Sequence, residues 1–198
     1  MFAELQLGDA DIRQRLAVAD IPGLGGVVGG DVLSGFDVEF DLPARRVRLW
    51  RAPGCGASDL PWTGSRATMP VQVTGGDRLR VSVTIDGAAV DALLDSGAAI
   101  SLLQADAARR LGVTQAALAA DPGISARGVD GGTIGVRAHR FGVLLVGEER
   151  INHPQIGVAE FQLTSAEMLL GVDYLRARRV WVSYRTGQLF VQAARPGA

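Results

Sequence analysis

Part of this chain occurs twice, and no other feature constrains its fold as much. Gly26-Val27-Val28-Gly29-Gly30-Asp31-Val32-Leu33 reads against Met168-Leu169-Leu170-Gly171-Val172-Asp173-Tyr174-Leu175, 142 residues further on. The same displacement places Val38, Phe40, Val47 and Leu49 on Val180, Val182, Leu189 and Val191, so the apolar alternation of two strands is kept. In each copy a polar or Arg-containing turn separates those strands, Asp41-Leu42-Pro43-Ala44-Arg45 in one and Ser183-Tyr184-Arg185-Thr186-Gly187 in the other, which is a hairpin signal. Upstream, Leu5-Gln6-Leu7-Gly8-Asp9 falls on Leu144-Leu145-Val146-Gly147-Glu148 at a displacement of 139, as a loop differing by three residues would give.

The second copy extends back to about residue 67, and its segment 67–140 has no counterpart in the first. The reading is therefore a truncated C-terminal half of a first repeat over 1–50, a Gly/Pro/Ser-rich linker over 51–66, and a complete domain over 67–198. A half of about 50 residues is below the size that usually buries enough surface to stand alone, so it must pack on something.

Composition narrows the classes of function. With 198 residues, 47% of them hydrophobic and 21% charged, the chain can bury a core. Net charge is −1 and the basic residues are scattered, which argues against nucleic acid as a partner. Cys55 is the single cysteine, so an intrachain disulfide and a Cys-based zinc site are excluded. His139 and His153 lack metal-ligand spacing and read as ordinary structural or surface histidines. No run approaches a transmembrane length. The 26 glycines favour many short strands joined by tight turns.

In the complete copy, Leu79-Arg80-Val81-Ser82-Val83-Thr84-Ile85 alternates as a half-buried strand, Asp86-Gly87 is a tight turn, and 88–94 returns as its partner. Asp95-Ser96-Gly97-Ala98 follows. Residues 104–112 have helix-forming composition and a terminal glycine stop. Next comes a hairpin with the glycine-rich tip Gly128-Val129-Asp130-Gly131-Gly132, then strand-like runs at 141–146, 151–158, 180–183 and 189–192. Trp50, Trp62 and Trp181 read as packing residues. The sum is a small, closed, mainly β domain with one or two short helices.

This order resembles the retropepsin-like aspartic proteases, bacterial members included. The resemblance covers about 67–195, and the truncated copy is similar to that family's C-terminal half. It implies that Asp95 is catalytic, with Ser96, Gly97 and Ala98 forming its supporting loop. Gly128, Val129, Asp130, Gly131 and Gly132 fall on the family's substrate-binding flap, and Leu169, Leu170 and Gly171 on its structural hydrophobic-hydrophobic-Gly element. Asp31 and Asp173 match a structural position.

The implied reaction is peptide-bond hydrolysis by a water held between two carboxylates that share one proton, with no metal or other cofactor. Only Asp95 stands in an Asp-[Ser/Thr]-Gly setting, so the second carboxylate has to come from a second chain or from a missing upstream repeat. As a monomer the chain is expected to be inactive. Its expected partners are a peptide or protein substrate and a homodimer mate or a second repeat. The alternative is an inactive peptide- or protein-binding module of the same fold. Periplasmic or membrane-associated export follows from the resemblance only.

Overall fold

The computed structural model describes residues 2–15, 23, 25–51, 60–128 and 131–193. Cys55 and the flap-tip residues Val129 and Asp130 lie outside them. The chain opens with a hairpin of β1 (Phe2–Leu7) and β2 (Ala10–Arg15), followed by the short helix α1 (Gly30–Leu33) and a second hairpin of β3 (Asp37–Asp41) and β4 (Arg46–Trp50). Next come β5 (Ala67–Pro70), β6 (Gln72–Thr74), β7 (Arg78–Ile85), β8 (Ala88–Leu94) and β9 (Leu102–Gln104). Helices α2 (Ala105–Arg110) and α3 (Gln115–Ala120) lead to β10 (Gly123–Arg127), β11 (Thr133–Arg140), β12 (Val143–Val146), β13 (Glu149–Asn152) and β14 (Gln155–Ala159). The chain continues through β15 (Met168–Leu170), α4 (Val172–Leu175), β16 (Arg178–Ser183) and β17 (Gln188–Ala193). The architecture is mainly β, as the composition indicated.

The larger sheet runs β10-β11-β14-β9-β15-β8-β7-β12-β13, with β6 on β7. Strand β7 buries Leu79, Val81, Val83 and Ile85 and turns the residues between them outward, the period of two that its sequence shows. Asp86 and Gly87 both have positive φ, +49° and +87°, the conformation a two-residue hairpin loop requires. Asp86 also ties β12 down, its carboxylate accepting the N–H groups of Gly142 (3.2 Å) and Val143 (2.7 Å). The main core joins this sheet to β16 and β17 through Met69, Val81, Val83, Ile85, Leu103, Val146, Leu170, Leu175, Val182 and Leu189. Each such aliphatic side chain contributes about 1.5–3 kcal/mol by its removal from water.

The second sheet is ordered β4-β3-β16-β17-β5 and joins the two ends of the chain. At its centre β3 lies antiparallel to β16, with Val38 across from Val182, Glu39 from Trp181 and Phe40 from Val180. Glu39 is fully buried and accepts hydrogen bonds from Arg48 (3.0 Å), Trp62 Nε1 (3.2 Å) and Arg179 Nε. Leu60 and Trp62 pack with Trp181 and Phe190, so the described end of the expected linker, 60–66, contributes to a core.

Two elements depart from expectation. The run 151–158 is two strands, because His153 takes φ +51° and Pro154 has no N–H for a ladder; β14 then pairs with β11 and β9. Helix α3 forms where no helix was expected, capped by the Thr114 hydroxyl, which accepts the Ala117 N–H at 3.1 Å.

Candidate active site

Asp95 sits at the end of β8, which lies between β7 on one side and β15, parallel to it, on the other. The Asp95 N–H donates to the Leu170 carbonyl (3.0 Å), which continues the parallel ladder of Leu169 with Leu93 and Leu170 with Leu94. One turn later the Ala98 N–H reaches back to the Asp95 carbonyl (3.3 Å), while the Gly97 N–H donates to Asp95 Oδ1 (2.8 Å). The carboxylate is thus oriented by its own loop. Gly97 does not have positive φ; a Cβ there would lie 3.1 Å from Asp95 Oδ1, so the glycine serves close approach.

Gly171 explains the apolar-apolar-Gly element. A Cβ on it would fall 2.7 Å from the carbonyl oxygens of Ala98 and Ile100, so only glycine lets the start of α4 pack against the Asp95 loop. The Val172 N–H then bonds the Ala98 carbonyl at 2.8 Å. Ser101 completes the web. Its hydroxyl donates to Asp173 Oδ1 (2.7 Å) and accepts from the Gly171 N–H (3.0 Å), and its own N–H donates to Asp173 Oδ2 (2.9 Å). The buried hydroxyl that ties the loop together is that of Ser101, which the sequence reading did not single out; exposed Ser96 lines the cleft. A Ser six residues beyond Asp95, facing the Asp of the Gly-x-Asp repeat, is a contact between segments remote in sequence.

Asp95, Ser96 and Gly97 line a cavity of about 620 Å³ together with Val27, Val28, Gly29 and Gly30, which lead into α1, and with Asp77, Gln162, Leu163 and Thr164. Gly30 closes against the 75–77 turn, where a Cβ would meet the Asp77 carbonyl at 2.3 Å. Tyr184 also lines this cavity, and burial, helped by the charge of Asp77, pushes its phenol up to about 12. It is neutral at any working pH.

The glycine-tipped hairpin is present as β10 and β11, closed by Gly128 N–H to Gly132 O (2.8 Å) and Gly131 N–H to Gly128 O (3.0 Å). Gly131 has φ +81°. Ala126 and Ile134, paired next to the tip, pack with Ile100, Leu102, Val136 and Leu169, so the hairpin is anchored on the segment that follows Asp95. Its described residues do not line the 620 Å³ cavity. His139 bonds Asp121 (2.6 Å) and meets Phe141 edge-on, a packing role. Among the described residues no His, Cys, Asp and Glu cluster could hold a metal ion.

The parallel β8–β15 ladder, the Asp-Ser-Gly loop seated on Gly171 and the hairpin over Ile100 together define a retropepsin-like aspartic protease fold. Residues 81–174, a little under half of the chain, match the family model for aspartyl protease. A retropepsin-like aspartic protease from Rickettsia conorii matches with a TM-score of 0.50 at 14% identity, over 67% of this chain and 95% of the other. The EIAV protease matches with a TM-score of 0.41 at 22% identity, over 54% and 92%. Basic 7S globulin from soybean matches with a TM-score of 0.46 at 14% identity, over 79% and 50%. No curated protein matches the sequence. No helix among the described residues is long and apolar enough to cross a membrane.

Proposed function

We propose that the chain is an aspartic endopeptidase module in which Asp95 supplies one of two carboxylates. The observation that carries this is the placement of Asp95 at a cavity, with Oδ1 held by the Gly97 N–H and the loop locked by Gly171, Ser101 and Asp173. In the reaction, a water between two facing carboxylates loses a proton to the ionised one and attacks the peptide carbonyl. The protonated one donates to the developing oxyanion. The glycine-tipped hairpin would pair its backbone with an extended substrate, with side-chain pockets setting preference.

In this reading residues 1–50 are the C-terminal half of a further lobe, 51–66 connect it, and 67–198 form the complete lobe. The caps support it: α1 and α4 follow Gly29 and Gly171, whose dihedrals are −97°, −175° and −94°, −167°. Arg45 (φ +53°) and Gly187 (φ +63°), 142 residues apart, close the two hairpins alike. The second reading, an inactive peptide-binding module, is favoured by the cavity lining, where the carboxylate besides Asp95 among the described residues is Asp77, outside any Asp-[Ser/Thr]-Gly setting.

Cleavage of a peptide library between pH 4 and 7, with Asp95→Asn beside the native protein, tests the assignment. Loss of cleavage in the variant, with folding intact, supports it. Cleavage that survives the substitution removes Asp95 from the chemistry, and saturable peptide binding without cleavage in either protein selects the second reading.

A further inference from the structure

Strand β4 ends its sheet, and among the described residues nothing pairs with its outer edge. That edge offers a row of backbone N–H and C=O groups to an added strand. The opposite end of the same sheet is blunted: β5 has four residues and closes on Pro70, which has no N–H to give.

Two chemically distinct faces flank the open edge. On one, Val47 and Leu49 join Leu7, Val28, Leu33 and Phe40 in lining a cavity of about 820 Å³. Val28 and Val47 stand 45% and 51% exposed there, although both are aliphatic. The other face carries Arg46, Arg48 and the half-exposed Trp50, whose ring lies 5.5 Å from that of Trp181. Arg48 gives one N–H to Glu39 (3.0 Å) and keeps the rest of its fork. Asp41, across from Arg46, is drawn to Arg179 (3.7 Å), so exposed Arg46 has no carboxylate within ion-pair distance among the described residues.

The neighbour that β4 already has shows what kind of strand fits beside it. β3 reads Asp37-Val38-Glu39-Phe40-Asp41, which sets Glu39 across from Arg48, Asp41 from Arg46 and Phe40 from Val47. A strand on the outer edge would meet the same two faces of β4, and the same alternation matches them.

A second copy of the chain is a poor occupant. Two β4 strands paired about Val47 or Arg48 would set Arg46 against Arg48 or Arg48 against itself, and like charges directly opposite destabilise a pair. The acidic strand of a second copy, its β3, has both edges taken by β4 and β16. The charge that keeps β4 from a like edge is the charge an acidic strand would use.

We infer that the outer edge of β4 is a docking site for an extended segment of a partner protein in which acidic and apolar residues alternate. The segment adds as a further strand, with its carboxylates over Arg46 and Arg48 and its apolar side chains in the 820 Å³ cavity. Docking is independent of the peptidase reading, since neither Asp95 nor the glycine-tipped hairpin lines that cavity.

The test titrates the peptide acetyl-Glu-Val-Glu-Leu-Glu-Val-Glu-amide into the full chain. A saturable change in Trp50 fluorescence is expected, with amide exchange in β4 slowed by about tenfold or more and exchange in the edge strands β5, β10 and β13 unchanged. A peptide with lysine in place of each glutamate is expected to bind at least about tenfold more weakly, and Arg46→Glu to weaken the acidic peptide by a similar factor. Arg46→Glu should move the Tm by less than about 2 °C, because Arg46 is exposed and holds no ion pair. The lysine peptide needs no variant and decides even where that substitution disturbs folding.

No saturable binding up to about 1 mM peptide, equal affinity for the acidic and lysine peptides, or protection on another edge overturns the docking site. Protection of β4 that grows with protein concentration in the absence of peptide overturns it in favour of a second copy.

Discussion

Glu39 stands directly across from Trp181 in the pairing of β3 with β16, and these two residues are themselves 142 positions apart. An antiparallel pair whose members are equivalent by the displacement that relates the two hairpins marks a local two-fold axis. The sheet β4-β3-β16-β17 is therefore two like hairpins set back to back. Its centre is not symmetric in chemistry. One side offers a buried carboxylate, the other an indole packed between Trp50 (5.5 Å) and Trp62 (6.2 Å).

Glu39→Ala would leave Arg48 without its counter-charge, Arg179 with only Asp41 at 3.7 Å, and Trp62 Nε1 without its acceptor. Losing one member of a buried pair costs about 3–5 kcal/mol, but both arginines keep part of their side chains in water, so about 2–3 kcal/mol is expected here. Glu39→Gln keeps an acceptor for the indole and should cost less. Urea unfolding of the two variants orders them, and equal stability of Glu39→Ala and the native protein would mean that this network does not hold the two hairpins together.

Gly171 and Gly29 occupy corresponding places yet should respond differently to a methyl group. At Gly171 the new Cβ meets the backbone carbonyl oxygens of Ala98 and Ile100 and the Ile100 carbonyl carbon, all at 2.7 Å, and backbone cannot yield cheaply. At Gly29 it meets only the Asp31 side chain at 2.9 Å, which can rotate away. Gly171→Ala is expected to cost about 3 kcal/mol and Gly29→Ala less than 1, on the scale of overpacked sites. Thermal melts of the pair read this directly, and similar Tm losses in both would contradict the packing argument.

The strands and the Asp86-Gly87 turn were legible because each is written locally, in alternation and a turn dipeptide, while Leu169, Leu170 and Gly171 stood out through the repeat and the family resemblance. What was not legible depends on contacts between distant segments. Ser101 is an ordinary serine until β9 and α4 bring Asp173 to it, and Glu39 reads as the polar face of a strand until Trp62, from the 60–66 segment, and Arg179, from the far end of the chain, reach it. The His153-Pro154 break did carry a local signal in its proline. Helix α3 carried one too, in Thr114 ahead of five residues of which four are alanine or leucine.

Asp173 and Asp95 should separate stability from chemistry. Asp173 accepts from the Ser101 N–H, the Ser101 hydroxyl and the Tyr174 N–H (2.9 Å), so Asp173→Asn turns one acceptor oxygen into a donor inside a packed web. A loss of about 1–3 kcal/mol is expected. Asp95 accepts one loop N–H, so Asp95→Asn should stay within about 1 kcal/mol of native while abolishing cleavage. Urea midpoints measured beside peptide cleavage give the split; a large stability loss in Asp95→Asn would make its loss of activity uninformative about catalysis.

Alkaline stability should be governed by Tyr174. Burial, followed by the charge of Glu149, pushes its phenol far above the usual 10.0, even though the Arg178 guanidinium, 4.0 Å from the ring, pulls the other way. Its hydroxyl donates to Glu149 Oε2 at 3.0 Å. A group whose folded pKa is raised binds its proton more tightly in the native state. Its contribution is complete below the unfolded value near 10 and is lost as pH rises above it. Stability should therefore fall from about pH 10 upward, where unfolded Tyr174 ionises and folded Tyr174 does not. Tyr174→Phe should lower stability by about 1 kcal/mol at neutral pH through the lost hydrogen bond and flatten the alkaline decline. Tyr184, raised to about 12, keeps a shallower dependence in that variant. Urea denaturation at half-unit steps from pH 8 to 11 checks both effects, and an alkaline slope identical in native and Tyr174→Phe proteins would place the sensitivity elsewhere.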